Sequence, residues 1–139
     1  MPLPVELLEH YRKAHYAVYG EPELVLRIGE HSAALDALLE SKGATAAAYI
    51  TAANPRGRVQ PEADNAIATA ALRRSLSGAG YRCLAGEGRD PEGKWKAEKS
   101  VLVLGMTRED ALALGRAFDQ NAVVLVERGK APELVVLDP

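Results

Sequence analysis

Apolar positions recur every three or four residues over Leu3–His15, where Leu7, Leu8, Tyr11 and Ala14 predict a short helix. The period then shortens. Tyr16-Ala17-Val18-Tyr19 and Leu24-Val25-Leu26-Arg27-Ile28 flank Gly20-Glu21-Pro22-Glu23, and two β-rich runs about a Gly/Pro turn predict a hairpin. Glu30–Lys42 returns to helical spacing, with Leu35, Leu38 and Leu39 inward and Gly43 as a left-handed stop. The apolar run Ala46–Ala53 predicts a buried strand. It ends at Asn54-Pro55, because Pro55 has no N–H for a ladder and drives Asn54 out of the helical region. A polar loop, Arg56–Gln60, leads to Pro61. Pro61 opens a helix with Glu62 and Asp64 in its first turn, where acids suit the helix dipole. On that helix Asn65, Thr69, Leu72 and Leu76 share one face, and Gly78 and Gly80 end it.

Tyr81–Ala85 predicts the next strand, and Gly86–Gly93 a long polar loop of the kind that carries function or moves. Ser100–Gly105 predicts a strand buried on both faces. Thr107 caps the last helix, with Asp110 in the capping-box position. Asn121–Glu127 and Glu133–Leu137 predict two final strands about the turn Arg128–Pro132. From Ala46 onward the order is therefore β-α-β-β-α-β, the split βαβ pattern. The expected fold class is α+β: a ferredoxin-like core sandwich, preceded by a helix, a hairpin and a helix, and extended by an extra C-terminal strand.

In that topology the C-terminal ends of the first two core strands share one sheet edge with the N-terminal ends of the last two. Thr51 and Asn54 leave the sheet there, Asn65 starts its helix there, and the Gly86–Gly93 loop leaves there. Trp95, Glu98 and Ser100 enter there, as do Gln120 and Asn121. Each residue also has a structural reading. Asn54 suits a turn cap, Asn65 a loop-backbone partner, and Glu98 a surface ion pair with Lys96 or Arg56. Trp95 suits a lid on the core, and Gln120-Asn121 suits helix-end carbonyls. Their convergence points to a shared polar pocket.

Composition narrows the classes. The chain has 139 residues, 47% of them hydrophobic and 26% charged, with a net charge of -2. One α+β domain over 1–139 is expected. No apolar run approaches the roughly 20 residues that span a bilayer, and Met1-Pro2-Leu3-Pro4 lacks the basic and apolar regions of a signal peptide. The lone Cys83 excludes an internal disulfide and a cysteine-rich zinc site. A cytoplasmic protein without a membrane partner is expected. The negative net charge argues against duplex nucleic acid. Residues 54–100 nevertheless carry nine Lys/Arg against six Asp/Glu.

The pieces Tyr11-Arg12, Ile50-Thr51-Ala52-Ala53-Asn54-Pro55, Asn65, Gly86-Glu87-Gly88, Trp95…Glu98-Lys99-Ser100 and Phe118-Asp119-Gln120-Asn121-Ala122 together resemble the bacterial family catalogued as domain of unknown function 3293. The resemblance runs from about Tyr11 to Val126. Members usually show two adjacent acids before the serine. Lys99 stands in place of the second, which argues against a two-acid metal site. The resemblance implies no assigned activity.

Known chemistries fit poorly. His10, His15 and His31 lack metal-ligand spacing, so no metal is expected. Ser100 lies in no nucleophile elbow, and Cys83 reads as a core thiol. The Gly86-Glu87-Gly88 stretch lacks the Lys-Ser/Thr of a phosphate loop, and no cofactor is implied. Aromatics are too few for a sheet that stacks RNA bases. Two readings remain. In the first, the polar edge is a pocket for a small anionic molecule: Glu98 is the acid/base candidate, and Thr51, Asn54, Arg56, Asn65, Trp95, Ser100, Gln120 and Asn121 bind. In the second, the domain is a protein-interaction or regulatory module and the polar cluster is structural only. Whether the protein is an enzyme is left open.

Overall fold

The structure, a computed structural model, describes residues 3–137. Met1 and Pro2, part of the N-terminal stretch read above as lacking a signal peptide, lie outside them. The elements run α1 (Val5–Lys13), β1 (His15–Val18), β2 (Leu24–Leu26), α2 (Ala33–Ser41), β3 (Ala46–Thr51), α3 (Glu62–Gly78), β4 (Arg82–Arg89), β5 (Glu98–Leu104), α4 (Arg108–Ala117), β6 (Ala122–Glu127) and β7 (Glu133–Val136). A 3₁₀ turn, Pro55–Gly57, stands between β3 and α3. The fold is α+β. The strands form one sheet in the order β2-β1-β4-β5-β3-β6-β7, and every neighbouring pair is antiparallel.

Strand alternation sorts the apolar residues onto two faces. Tyr16, Val18, Ala47, Tyr49, Leu102, Leu104, Val124 and Val126 pack against Leu35 and Leu39 of α2. Ala48, Ile50, Val101, Val103 and Val123 pack against Leu72 and Leu76 of α3 and Ala111 of α4. Beyond β2, the Gly29 N–H donates to the Pro132 carbonyl (3.0 Å), and in the β6–β7 turn the Gly129 N–H donates to Asp36 Oδ1 (2.9 Å). The two ends of the sheet thus meet at α2, and the sheet curls around that helix as a half-barrel.

Helix starts follow the local chemistry. Ser32 accepts from the Leu35 N–H and Thr107 from the Asp110 N–H, both at 3.1 Å. The Asp110 carboxylate accepts from the Tyr81 hydroxyl (2.7 Å).

One expectation is corrected. Gly86–Arg89, read above as the start of a loop, continues β4, pairing with β1 on one side and β5 on the other. The reason is packing rather than propensity. A side chain at position 86 would place its Cβ 1.9 Å from the Ala17 carbonyl oxygen and 3.2 Å from the Tyr49 hydroxyl. Only glycine lets β1 come this close. Glycines mark turns by default, but these belong to a strand approached by its neighbour's backbone.

Candidate functional site

Asn54 is the hub of the polar edge. It leaves β3 with a left-handed backbone, φ 45° and ψ 64°, outside the right-handed helical region as expected. Asparagine tolerates that conformation better than other non-glycine residues. Neighbouring side chains hold it there. The Asn54 N–H donates to Asn65 Oδ1 (2.8 Å), and Asn54 Oδ1 accepts from Asn65 Nδ2 and from the Gln60 N–H, both at 3.0 Å. Gln60 Nε2 donates to Asn65 Oδ1 (2.7 Å). The remaining arm of Asn54, Nδ2, donates to Glu98 Oε2 (2.7 Å). The other two non-glycine residues with positive φ among those described, Arg56 and Asp119, lie in the same two touching loops, joined by an N–H···O bond of 2.7 Å. Backbone strain of this kind persists only where the surroundings over-determine it.

Glu98 opens β5 on the curled face, opposite Gly88 of β4, which in turn faces Tyr16 of β1. Its pKa is raised: burial disfavours the charged form, and the Asn54 hydrogen bond only partly opposes that. No basic side chain enters this balance. Glu98 Oε1 has no hydrogen-bond partner, yet no buried side-chain polar atom among the described residues is left unpaired. Oε1 is therefore reachable by solvent rather than sealed in protein.

Two spaces adjoin the carboxyl. A small cavity of about 60 Å³ is lined by Tyr11, Tyr16, Tyr49, Trp95 and Glu98, with Thr51, Asn54, Gly88, Ser100 and Gln120. A larger groove of about 570 Å³ runs along Leu7, Tyr11, Val59, Pro61, Asn65 and Trp95, with His10, Lys94, Lys96 and Glu62 also on its wall. Tyr11, Asn54, Gly57, Trp95 and Glu98 belong to both. Gly88 makes the cavity possible, since a Cβ there would meet nothing within 4 Å. Val59 stands 88% exposed on the groove, which gives it an apolar lip.

Of the residues expected at the site, Thr51, Asn54, Trp95, Glu98, Ser100 and Gln120 line the cavity, and Asn65 lines the groove. Asn121 stands behind the wall, donating to the Tyr11 hydroxyl (3.1 Å). Arg56 is turned away and pairs with Asp119 at 3.2 Å. Lys99, which stands in place of the family's second acid, sits on the opposite face of β5 beside Tyr19 and Glu87. Most hydroxyls and amides near the cavity are engaged by the backbone. Thr51 donates to the Lys99 carbonyl (2.7 Å), Ser100 to the Glu98 carbonyl (2.9 Å) and Gln120 to the Ala53 carbonyl (3.2 Å).

The sequence reading missed three tyrosines, Tyr11, Tyr16 and Tyr49, together with Gln60. A signal was present for two of them: Tyr16 and Tyr49 lie in β-rich apolar runs that feed one core face. Among the described residues no group of three or more His, Cys, Asp or Glu side chains could hold a metal. No helix among them is long and apolar enough to cross a membrane.

Over residues 50–123 the chain matches the family described as "Protein of unknown function (DUF3293)". No curated protein and no solved structure matches it.

Proposed function

The chain belongs to the DUF3293 family of proteins of unknown function, and since membership brings no activity with it, we propose a function from the site alone: the groove binds a small molecule whose apolar body lies along Trp95 and whose polar head reaches Glu98. One observation carries this. Glu98 offers a carboxyl oxygen without a protein partner to a cavity, beside an apolar groove of ligand size. An anionic head, the first expectation, has less support. Arg56 and Lys99 are engaged elsewhere, and the cavity meets the ligand with an acid.

A structural reading also has an observation behind it. Asn54, Asn65 and Gln60 satisfy one another, as a network that only fixes the loop would. A thermal-shift screen of small amphiphiles against the wild type and Gly88→Val separates the two. Compounds that stabilise the wild type by way of the cavity lose their effect when valine fills it. Equal stabilisation of both proteins, or none, favours the structural network.

Finer features of the domain belong to the same proposal. The order β4-β5-β3-β6 supports reading the core as ferredoxin-like, with the β1–β2 hairpin and β7 as additions at its edges. One sheet with helices on both faces supports a single domain over 1–139. A single cysteine without a disulfide partner agrees with a cytoplasmic setting.

A further inference from the structure

We propose that the head group held against Glu98 is a cation, a primary or small alkylated ammonium, bound in a cavity walled by tyrosine, tryptophan and one carboxylate. This inference rests on the ligand-binding reading above and names the ligand's chemistry.

The cavity's chemistry is one-sided. Glu98 is the only acidic or basic side chain on its wall apart from the tyrosine phenols, with no Lys, Arg or His among the lining residues. Glu98 is half-buried, and a carboxylate short of both water and partners is costly unless a counter-charge arrives. Here the protein supplies only the Asn54 amide, on one oxygen. Most of the donors that an anion would need are turned away, leaving the Tyr11 hydroxyl, which accepts from Asn121, and the Trp95 indole on the wall. Thr51, Ser100 and Gln120 donate to backbone carbonyls, and so do Tyr16 (to the Tyr11 carbonyl) and Tyr49 (to the Ala17 carbonyl).

The remaining walls suit a cation. Tyr11, Tyr16, Tyr49 and Trp95 line the space, and Tyr16 and Tyr49 meet edge to face with ring centroids 5.3 Å apart. Aromatic rings attract ammonium groups through their quadrupoles, more strongly when water is excluded. A volume of about 60 Å³ admits a head group of a few heavy atoms and no more. The attached chain would continue into the groove past Trp95, which belongs to both spaces. The lysines at the groove rim are held by acids, Lys94 by Glu92 (2.8 Å) and Lys96 by Glu62 (3.3 Å). They leave the interior carboxyl uncompensated.

The test uses three probes with one hexyl chain and different heads: hexylammonium, hexanamide and hexanoate. Binding to the full chain is read from Trp95 fluorescence, since Trp95 is the only tryptophan, and from saturation-transfer NMR. Hexylammonium is expected to bind about tenfold more tightly than either other probe. Glu98→Gln, checked for folding by circular dichroism, should remove that preference while hexanamide binding persists. If hexanamide or hexanoate binds the wild type as tightly as hexylammonium, the cation assignment is wrong and the groove remains a binding site. If none of the three binds, both the assignment and the binding reading fall.

Discussion

Glu87 and Glu98 stand on paired strands, nearly opposite each other, and live in opposite environments. Glu87 faces Lys99 across the β4–β5 ladder, and Gly88, the next residue, faces Glu98. The Glu87 carboxylate accepts from the Tyr19 hydroxyl and from Arg89 Nε (2.9 Å), with Lys99 Nζ at 3.7 Å. The Tyr19 and Arg89 hydrogen bonds hold its pKa below the usual glutamate range. Glu98 has one amide donor and no cation, and burial pushes its pKa up. The same side chain, moved across one sheet, goes from a satisfied surface cluster to a lone acid in an aromatic cavity. A carboxylate rich in partners needs no ligand to explain it. One left short of partners marks the place where stability has been given up, and such places are where function is sought.

The largest expected effect comes from removing the strand geometry that separates the two acids. Gly86→Val would drive a side chain into the Ala17 carbonyl and is expected to lower stability by about 3 kcal/mol in chemical denaturation. Gly88→Val, two residues on, points into open space and should change stability by less than about 1 kcal/mol. Equal losses at the two positions would mean that the cavity beside Glu98 is not there.

Asn54→Ala tests the Glu98 side alone. It strands the Gln60 N–H and the Asn65 amide, takes the single donor from Glu98, and puts alanine at a left-handed backbone position. A loss of about 2 kcal/mol is expected. Denaturation close to the wild type would show that the network holds nothing in place.

Glu98→Gln should act in the other direction. A folded-state pKa raised above the unfolded value means that the folded protein holds the proton more tightly. The contribution of Glu98 to stability is then greatest below the unfolded pKa and is lost as pH rises through the folded one. The groups that share this setting are Tyr11 and Tyr16, whose own pKa values Glu98 helps to raise, and His10, Lys94, Lys96 and Glu62 along the groove. Glutamine keeps an oxygen for Asn54 and drops the charge. The melting temperature should therefore rise at neutral pH, by an amount worth about 1 kcal/mol, and the gain should vanish at acid pH. A loss at neutral pH would place Glu98 among the structural residues.

The smallest effect is expected on the other face. Glu87→Gln disturbs exposed partners and should cost no more than about 1 kcal/mol. Its sign is opposite. The depressed pKa gives stability above the unfolded value, which is lost as pH falls.

Much of this arrangement was legible in the sequence because it rests on local chemistry. Asn54-Pro55 ended a strand, Pro61 opened a helix, and Thr107 capped one, whereas the Ser32 cap, which starts α2 at Ala33 and not at Glu30, was passed over. The motif pieces about Asn54, Trp95 and Gln120 pointed to the family that the match over residues 50–123 bears out. What escaped was set by long-range packing. Gly86 reads as a turn residue until Ala17, far away in the chain, is seen against it. Tyr11, Tyr16 and Tyr49 read as ordinary core positions until the fold brings all three to the wall of one cavity. The direction of the Glu98 pKa is likewise set by packing: burial raises it, and the strand register keeps Lys99 on the other face.

The most direct test follows the side-chain carboxyl resonances of Glu87 and Glu98 by carbon-detected NMR across an acid-to-neutral titration of the free protein. The account predicts that Glu98 titrates above the ordinary glutamate range and Glu87 below it. Two overlapping titrations in the ordinary range, or the reverse order, would contradict it.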